Sequence, residues 1–195
     1  MSLIRLKNNA LDNLTSFEGS ASLGDMVFIS SATASSSASI EFDLGSYKEY
    51  KFFFVNIHPS SSSIFSFQTS TDGGSNYGVT ATTTFFRGQQ TEAGASATLA
   101  YDTSMDLAQS SSLARLGRPV LTDNDASLSG TLQIFNVSSD TFVKHYMYNN
   151  SVMGNFCQNA FGAGYFNTTS AINAIKFQFE SGNIDDGKIL MFGLN

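Results

Sequence analysis

Two histidines, His58 and His145, and one thiol, Cys157, are the only side chains of their kinds in 195 residues. A cysteine beside a histidine can serve as nucleophile and base, but no local signature of such a pair surrounds any of the three. His145 falls in an apolar run, which predicts a structural histidine; His58 precedes Pro59 at a strand end, which predicts a loop contact. Cys157 reads as a small buried hydrophobe. Acidic pairs occur at Asp102 and Asp106, Asp123 and Asp125, and Asp185 and Asp186, the residue type that glycoside hydrolysis requires. Every pair sits among turn residues, where aspartate acts as a turn former. Asp123-Asn124-Asp125 lacks the remaining oxygen ligands and the glycine of a calcium loop. No phosphate-binding loop, nucleophile elbow or zinc-peptidase motif is present. The expectation is a chain that is not an enzyme and carries no cofactor or metal.

The remaining chemistry is that of aromatic side chains, which stack on sugar rings or fill subunit seams. Tyr77 stands beside Asn76 in the turn DGGSNYG (72–78), making these two the glycan-contact candidates. Segments 89–97 and 149–156 read as further recognition loops on the scaffold. Phe142, Tyr146 and Tyr148 recur at even spacing, so they share one face of a strand and are the subunit-interface candidates.

These residues need strands to position them. Ser127–Tyr148, SLSGTLQIFNVSSDTFVKHYMY, reads as a hairpin of about Ser129–Asn136 and about Thr141–Tyr148 around the turn Val137–Asp140. Both faces of its return strand are largely apolar, which places it mid-sheet, in a sandwich or against another subunit. Ile40, Phe42 and Leu44 alternate with acids, and Ile175, Phe177 and Phe179 alternate with Lys176, Gln178 and Glu180. YKEYKFFFVNI (47–57) sets Phe53, Val55 and Ile57 against Phe52 and Phe54 and stops at Pro59, which cannot donate to a ladder. Ile64–Thr71 reads as an outer strand with its polar side in water. Residues 102–125 show no sustained period and read as a long connection with one helical turn near Leu107–Leu116. About ten strands at spacings of roughly 10 to 15 residues predict an all-β fold, an antiparallel two-sheet sandwich of jelly-roll type.

Residues 1–25 differ from the body, 26–195. Leu3, Leu6, Leu11 and Leu14 recur near helical spacing, which predicts a short N-terminal arm or peg that anchors the domain to a partner. Charged residues make up only 13% of the chain, so Ser, Thr, Asn and Gly must solvate a core in which Phe contributes 18 residues. A net charge of -6, with ten Lys and Arg residues scattered and in no run, argues against a nucleic-acid binder, which needs a basic stripe. No apolar run approaches the ~20 residues that span a bilayer, and no export signal opens the chain, which predicts assembly in a cytoplasm.

Five segments together resemble a known family. KEYKFFFVNIHP (48–59), TDGGSNYGVTATTTFFRG (71–88), YDTSMDLAQ (101–109), SLSGTLQIFNVSSDTFVKHY (127–146) and NTTSAINAIKFQFESGNIDDGKILMFGL (167–194) resemble the terminal domain of tail-fibre-like virion proteins of marine tailed phages, cyanophages among them. The resemblance spans residues 46–194. It implies a virion component, a homotrimeric jelly-roll knob. Such a knob is expected to assemble in the host cytoplasm with other phage structural proteins and to present its loops to host surface glycan. The resemblance brings no catalytic residues. A capsid decoration protein of the same fold and a free carbohydrate-binding module are the rival expectations, separated by copy number per particle and by oligomeric state.

Overall fold

A computed structural model of the chain describes residues 26–194. The arm expected over residues 1–25, with Leu3, Leu6, Leu11 and Leu14, lies outside the described residues. Among the described residues every regular element is a strand. In chain order these are β1 (Val27–Thr33), β2 (Ile40–Asp43), β3 (Glu49–Pro59), β4 (Phe65–Ser70), β5 (Ala81–Thr83), β6 (Phe86–Thr91), β7 (Ala97–Tyr101), β8 (Ala114–Arg115), β9 (Ser127–Phe135), β10 (Lys144–Met153), β11 (Phe156–Phe166), β12 (Ala174–Phe179) and β13 (Ile184–Leu194).

Two antiparallel sheets face each other. The larger runs β1-β13-β3-β9-β10-β11-β6-β7, with β5 also on β11; the smaller runs β2-β12-β4-β8. Strands β1, β2, β3 and β4 alternate between the sheets, as do β9, β12 and β13, and the last strand lies between the first and third. That winding is a jelly roll. Strands β10, β11, β5, β6 and β7 extend its larger sheet beyond β9 on one side only. The predicted central hairpin is β9 and β10, and both lie mid-sheet.

Phenylalanine fills the space between the sheets. Phe177 of β12 lies within 5.1–6.2 Å of the rings of Phe42, Phe52, Phe54, Phe65 and Phe67, largely edge to face. Burying each such ring contributes about 1.5–3 kcal/mol, and deletion costs more because the cavity stays open. Ile175, Phe177 and Phe179 point inward as their alternation predicts.

Strand β3 departs from simple alternation. Asn56 adopts φ 50°, and Gly187 on β13 adopts φ 113°. The registers of β3 slip at this level against both neighbours. This bulge returns Ile57 to the inner face beside Phe52 and Phe54 and leaves Val55 exposed, correcting the grouping of Ile57 with Phe53 and Val55. The strand also continues through Pro59, which sits opposite Ile184 past the second slip.

Three further expectations change. Strand β4 is not an outer strand wet on one side: β12 and β8 flank it, and Ser66, Thr69 and Ser70 are buried. The 102–125 connection holds no helical turn. It pairs along β4 as β8, meets Ser63 at Val120 and Ala81 at Ser110, and buries Met105, Leu116 and Val120. Arg115 pins it to Glu180 at 2.6 Å, and within it Arg118 pairs with Asp102 at 2.6 Å, a carboxylate that Arg87 of β6 also approaches at 3.4 Å. Residues 149–156 are mostly strand, because β10 runs to Met153 and turns into β11 at Phe156.

Candidate functional site

The side chains that could pair for catalysis are kept apart. His145 and Cys157 lie at opposite ends of the β10–β11 pair, where His145 faces Tyr165 and Cys157 faces Met153. Eight residues of strand separate Tyr165 from Cys157, roughly 26 Å. Both side chains are exposed, which corrects the reading of Cys157 as a buried hydrophobe and places the predicted structural histidine, His145, on the outer face of its strand. His58 contacts a loop as expected: its Nε2 lies 3.2 Å from the Asp123 carbonyl, and Nδ1 lies 3.7 Å from the Asp185 carboxylate. A polar cavity of about 410 Å³ gathers Asn56, His58, Asp125, Asp185 and Asp186. Among the described residues no three His, Cys, Asp or Glu side chains converge to hold a metal ion.

The two glycan-contact candidates line one cavity. Asn76 and Tyr77 line a cavity of about 320 Å³ with Thr71, Asp72, Gly78 and Thr80. Asp72 organises this turn by accepting from the Asn76 backbone N–H at 2.9 Å, the Asn76 side-chain amide at 2.7 Å and the Ser70 hydroxyl at 2.7 Å. Donation by Asn76 and Ser70 holds its carboxyl down at about 2. Tyr77 lies against the smaller sheet, with the Lys176 ammonium 4.4 Å from its ring centre. Desolvation, with the nearby Glu41 carboxylate, pushes its phenol up to about 12.

The subunit-interface candidates divide. Tyr146 and Tyr148 are 1% and 5% exposed and belong to the sandwich's own core, so they are not free for a partner. The cause is the pair Gly162 and Gly164 on β11, directly opposite Tyr148 and Tyr146. A side chain at Gly164 would meet the Tyr146 ring at 2.6 Å, so the missing side chains are what let both rings lie inward. Phe142 is not on their strand face; it lies in the turn before β10 and is 67% exposed.

The surface that remains is the outer face of the larger sheet. Strand β10 alternates strictly there, burying Tyr146, Tyr148 and Val152 and exposing His145, Met147 and Asn149. It is therefore apolar on one face only, contrary to the two-sided reading. Strand register lines up the outward residues Leu190, Phe53, Thr131, Asn149, Phe161, Phe86 and Tyr101 across seven strands. At the β1 end, Phe28 and Phe53 both pack edge-on against Phe192, at 5.5 and 5.4 Å, and Val55 is exposed nearby. At the β7 end, Phe86 stacks on Phe161 at 5.5 Å and meets Tyr101 at 4.9 Å. Leu99 there is 79% exposed, and Met147, across a groove of about 500 Å³ from Phe86 and Phe161, is 58% exposed. Gln133, Thr131, Ser129, Asn149 and Ser151 form a polar strip between the two ends. Residue-by-residue reading missed this face; the spacing of Gly162 and Gly164 was the signal for which side of the hairpin turns in.

The fold and this face define a jelly-roll sandwich whose larger sheet carries exposed apolar side chains at both ends of its outer surface. No family model and no curated protein matches the chain. Among the described residues no helix is long and apolar enough to cross a membrane.

Proposed function

We propose that the chain is a structural protein of a tailed phage particle, a homotrimeric β-sandwich knob held to the virion by residues 1–25. The observation that carries this reading is the outer face of the larger sheet, where exposed Phe28, Val55, Leu99 and Met147 form ends of an apolar surface that one copy leaves uncovered. Extended exposed apolar surface marks an interaction site, and self-association around an axis is the commonest way to cover it. The five-segment resemblance to tail-fibre-like domains supports the same reading, as does a low-charge surface solvated by hydroxyls and amides.

In this assembly the 72–78 turn stays at the periphery, and Tyr77 with Asn76 offers a stacking ring and an amide to host surface glycan. Nothing in the reading calls for nucleic acid or membrane insertion. Deleting residues 1–25 tests the anchor: the shortened protein should remain folded and trimeric yet fail to join particles. Loss of folding on deletion would overturn the peg. Copy number per particle then separates a tail appendage, present in a few sets, from a capsid decoration protein, present in many.

A further inference from the structure

We propose that the cavity at the turn between β2 and β3 binds a choline-type cation, a quaternary ammonium group with an oxygen a few bonds away. This goes beyond the virion reading and does not depend on it. The cavity measures about 330 Å³, in the range of small-ligand sites, and Ile29, Asp43, Gly45, Tyr47 and Tyr50 are among its walls.

Alternation along β2 turns Ile40 and Phe42 inward and leaves Asp43 exposed at the end of the strand. The chain then turns into β3, where Tyr50 is inward and 1% exposed. The register of β1 against β13 slips between Phe28 and Ser30, and Ile29, within the slip, packs on the core. Tyr47 rests on Gly193 of β13: a side chain there would meet its ring at 2.4 Å, so the bare strand is what receives the ring. Tyr50 stands at 84° to Tyr47, with ring centres 5.9 Å apart. Two rings at a right angle, with an aliphatic side chain beside them, make a corner for a rounded apolar group.

Two features define that group. Asp43 is the one charged side chain of the lining, and no ion pair among the described residues engages it. A carboxylate beside tyrosine rings favours a cation, and a charge spread over methyl groups leaves water at the least cost. A metal ion would find a single carboxylate here, too few ligands to replace its water. The second feature is the Tyr50 hydroxyl, which is buried and makes no hydrogen bond. The backbone N–H groups of Gly45 and Tyr47 lie near its oxygen outside bonding geometry, and both are donors, so nothing accepts the hydroxyl hydrogen. A buried donor left unpaired is costly, and an oxygen on the ligand relieves it.

The test titrates the full chain with choline chloride at fixed ionic strength and follows backbone amide resonances. Shifts should centre on Gly45, Ser46 and Tyr47. The uncharged isostere 3,3-dimethylbutan-1-ol should bind roughly tenfold more weakly. Tetramethylammonium, which keeps the charge and lacks the oxygen, should fall between the two. Asp43→Asn, at an exposed position, should weaken choline roughly tenfold. Tyr50→Phe should bring choline down to the level of tetramethylammonium and leave tetramethylammonium unchanged. Gly45→Leu should block the cavity without strain, since an added carbon meets only the Tyr50 hydroxyl at 3.5 Å and the φ of Gly45 lies outside the left-handed region. Equal binding of the alcohol, or choline binding indifferent to Asp43→Asn, overturns the cation. Resonances that stay in place at tens of millimolar choline overturn the site, and the virion reading stands in either case.

Discussion

At the scale of single residues, the interior is held by polar groups in unusual settings. Lys144 is fully buried, and its ammonium donates to the carbonyls of Ser139 at 2.5 Å, Thr169 at 2.9 Å and Thr168 at 3.4 Å. It ties the turn before β10 to the turn after β11, and desolvation lowers its pKa below the ordinary 10.5. A lowered lysine pKa means that the folded state sheds its proton first, so this residue makes stability rise with pH from its lowered value up to about 10.5. Tyr146 and Tyr148 act in the opposite sense, since burial raises their phenols above 10.0. Their contribution is intact below pH ~10 and is lost above it, by up to about 1.4 kcal/mol per tyrosine per pH unit. Tyr146→Phe is expected to shift alkaline unfolding, followed by circular dichroism, to higher pH. Gly164→Ala should destabilise by about 1–3 kcal/mol in urea, because its added carbon meets the Tyr146 ring.

At the scale of strands, what could be read from the chain depended on whether its period stayed regular. Strand β12 was legible because Ile175, Phe177 and Phe179 never lose their two-residue beat. Strand β3 was not, because its bulge combines a left-handed Asn56 with Gly187, which lies on another strand and becomes a neighbour only after folding. Gly187→Ala should cost about 1–3 kcal/mol and loosen Ile57, since a side chain there would meet the Asn56 carbonyl at 2.6 Å in a backbone conformation that favours glycine. The seam was misjudged for a related reason. Tyr146 and Tyr148 are as apolar as interface residues, and only their register against Gly162 and Gly164 shows that they turn inward. The glycan candidates Asn76 and Tyr77 fall together in one turn for a local reason. Asp72 accepts from Asn76 four residues on and from Ser70 two residues before, while Gly73 reaches far along the chain, donating to Asn173. Asp72→Asn should loosen that turn, and the signal would be faster amide exchange at Asn76.

At the scale of the whole molecule, the order of strands in the larger sheet constrains how the chain reaches this state. Strand β13, residues 184–194, lies between β1 and β3 and pairs with both. Strand β3 in turn waits for β9, made some seventy residues after it. The phenylalanines of β3 therefore emerge from the ribosome long before the partners that cover them. Such non-local pairing predicts refolding in milliseconds to seconds, measurable by stopped-flow fluorescence of the buried tyrosines. Throughout synthesis the nascent chain presents a greasy, unpaired strand to its surroundings, so yield in a cell should depend on chaperone supply and growth temperature more than on the final stability of the sandwich.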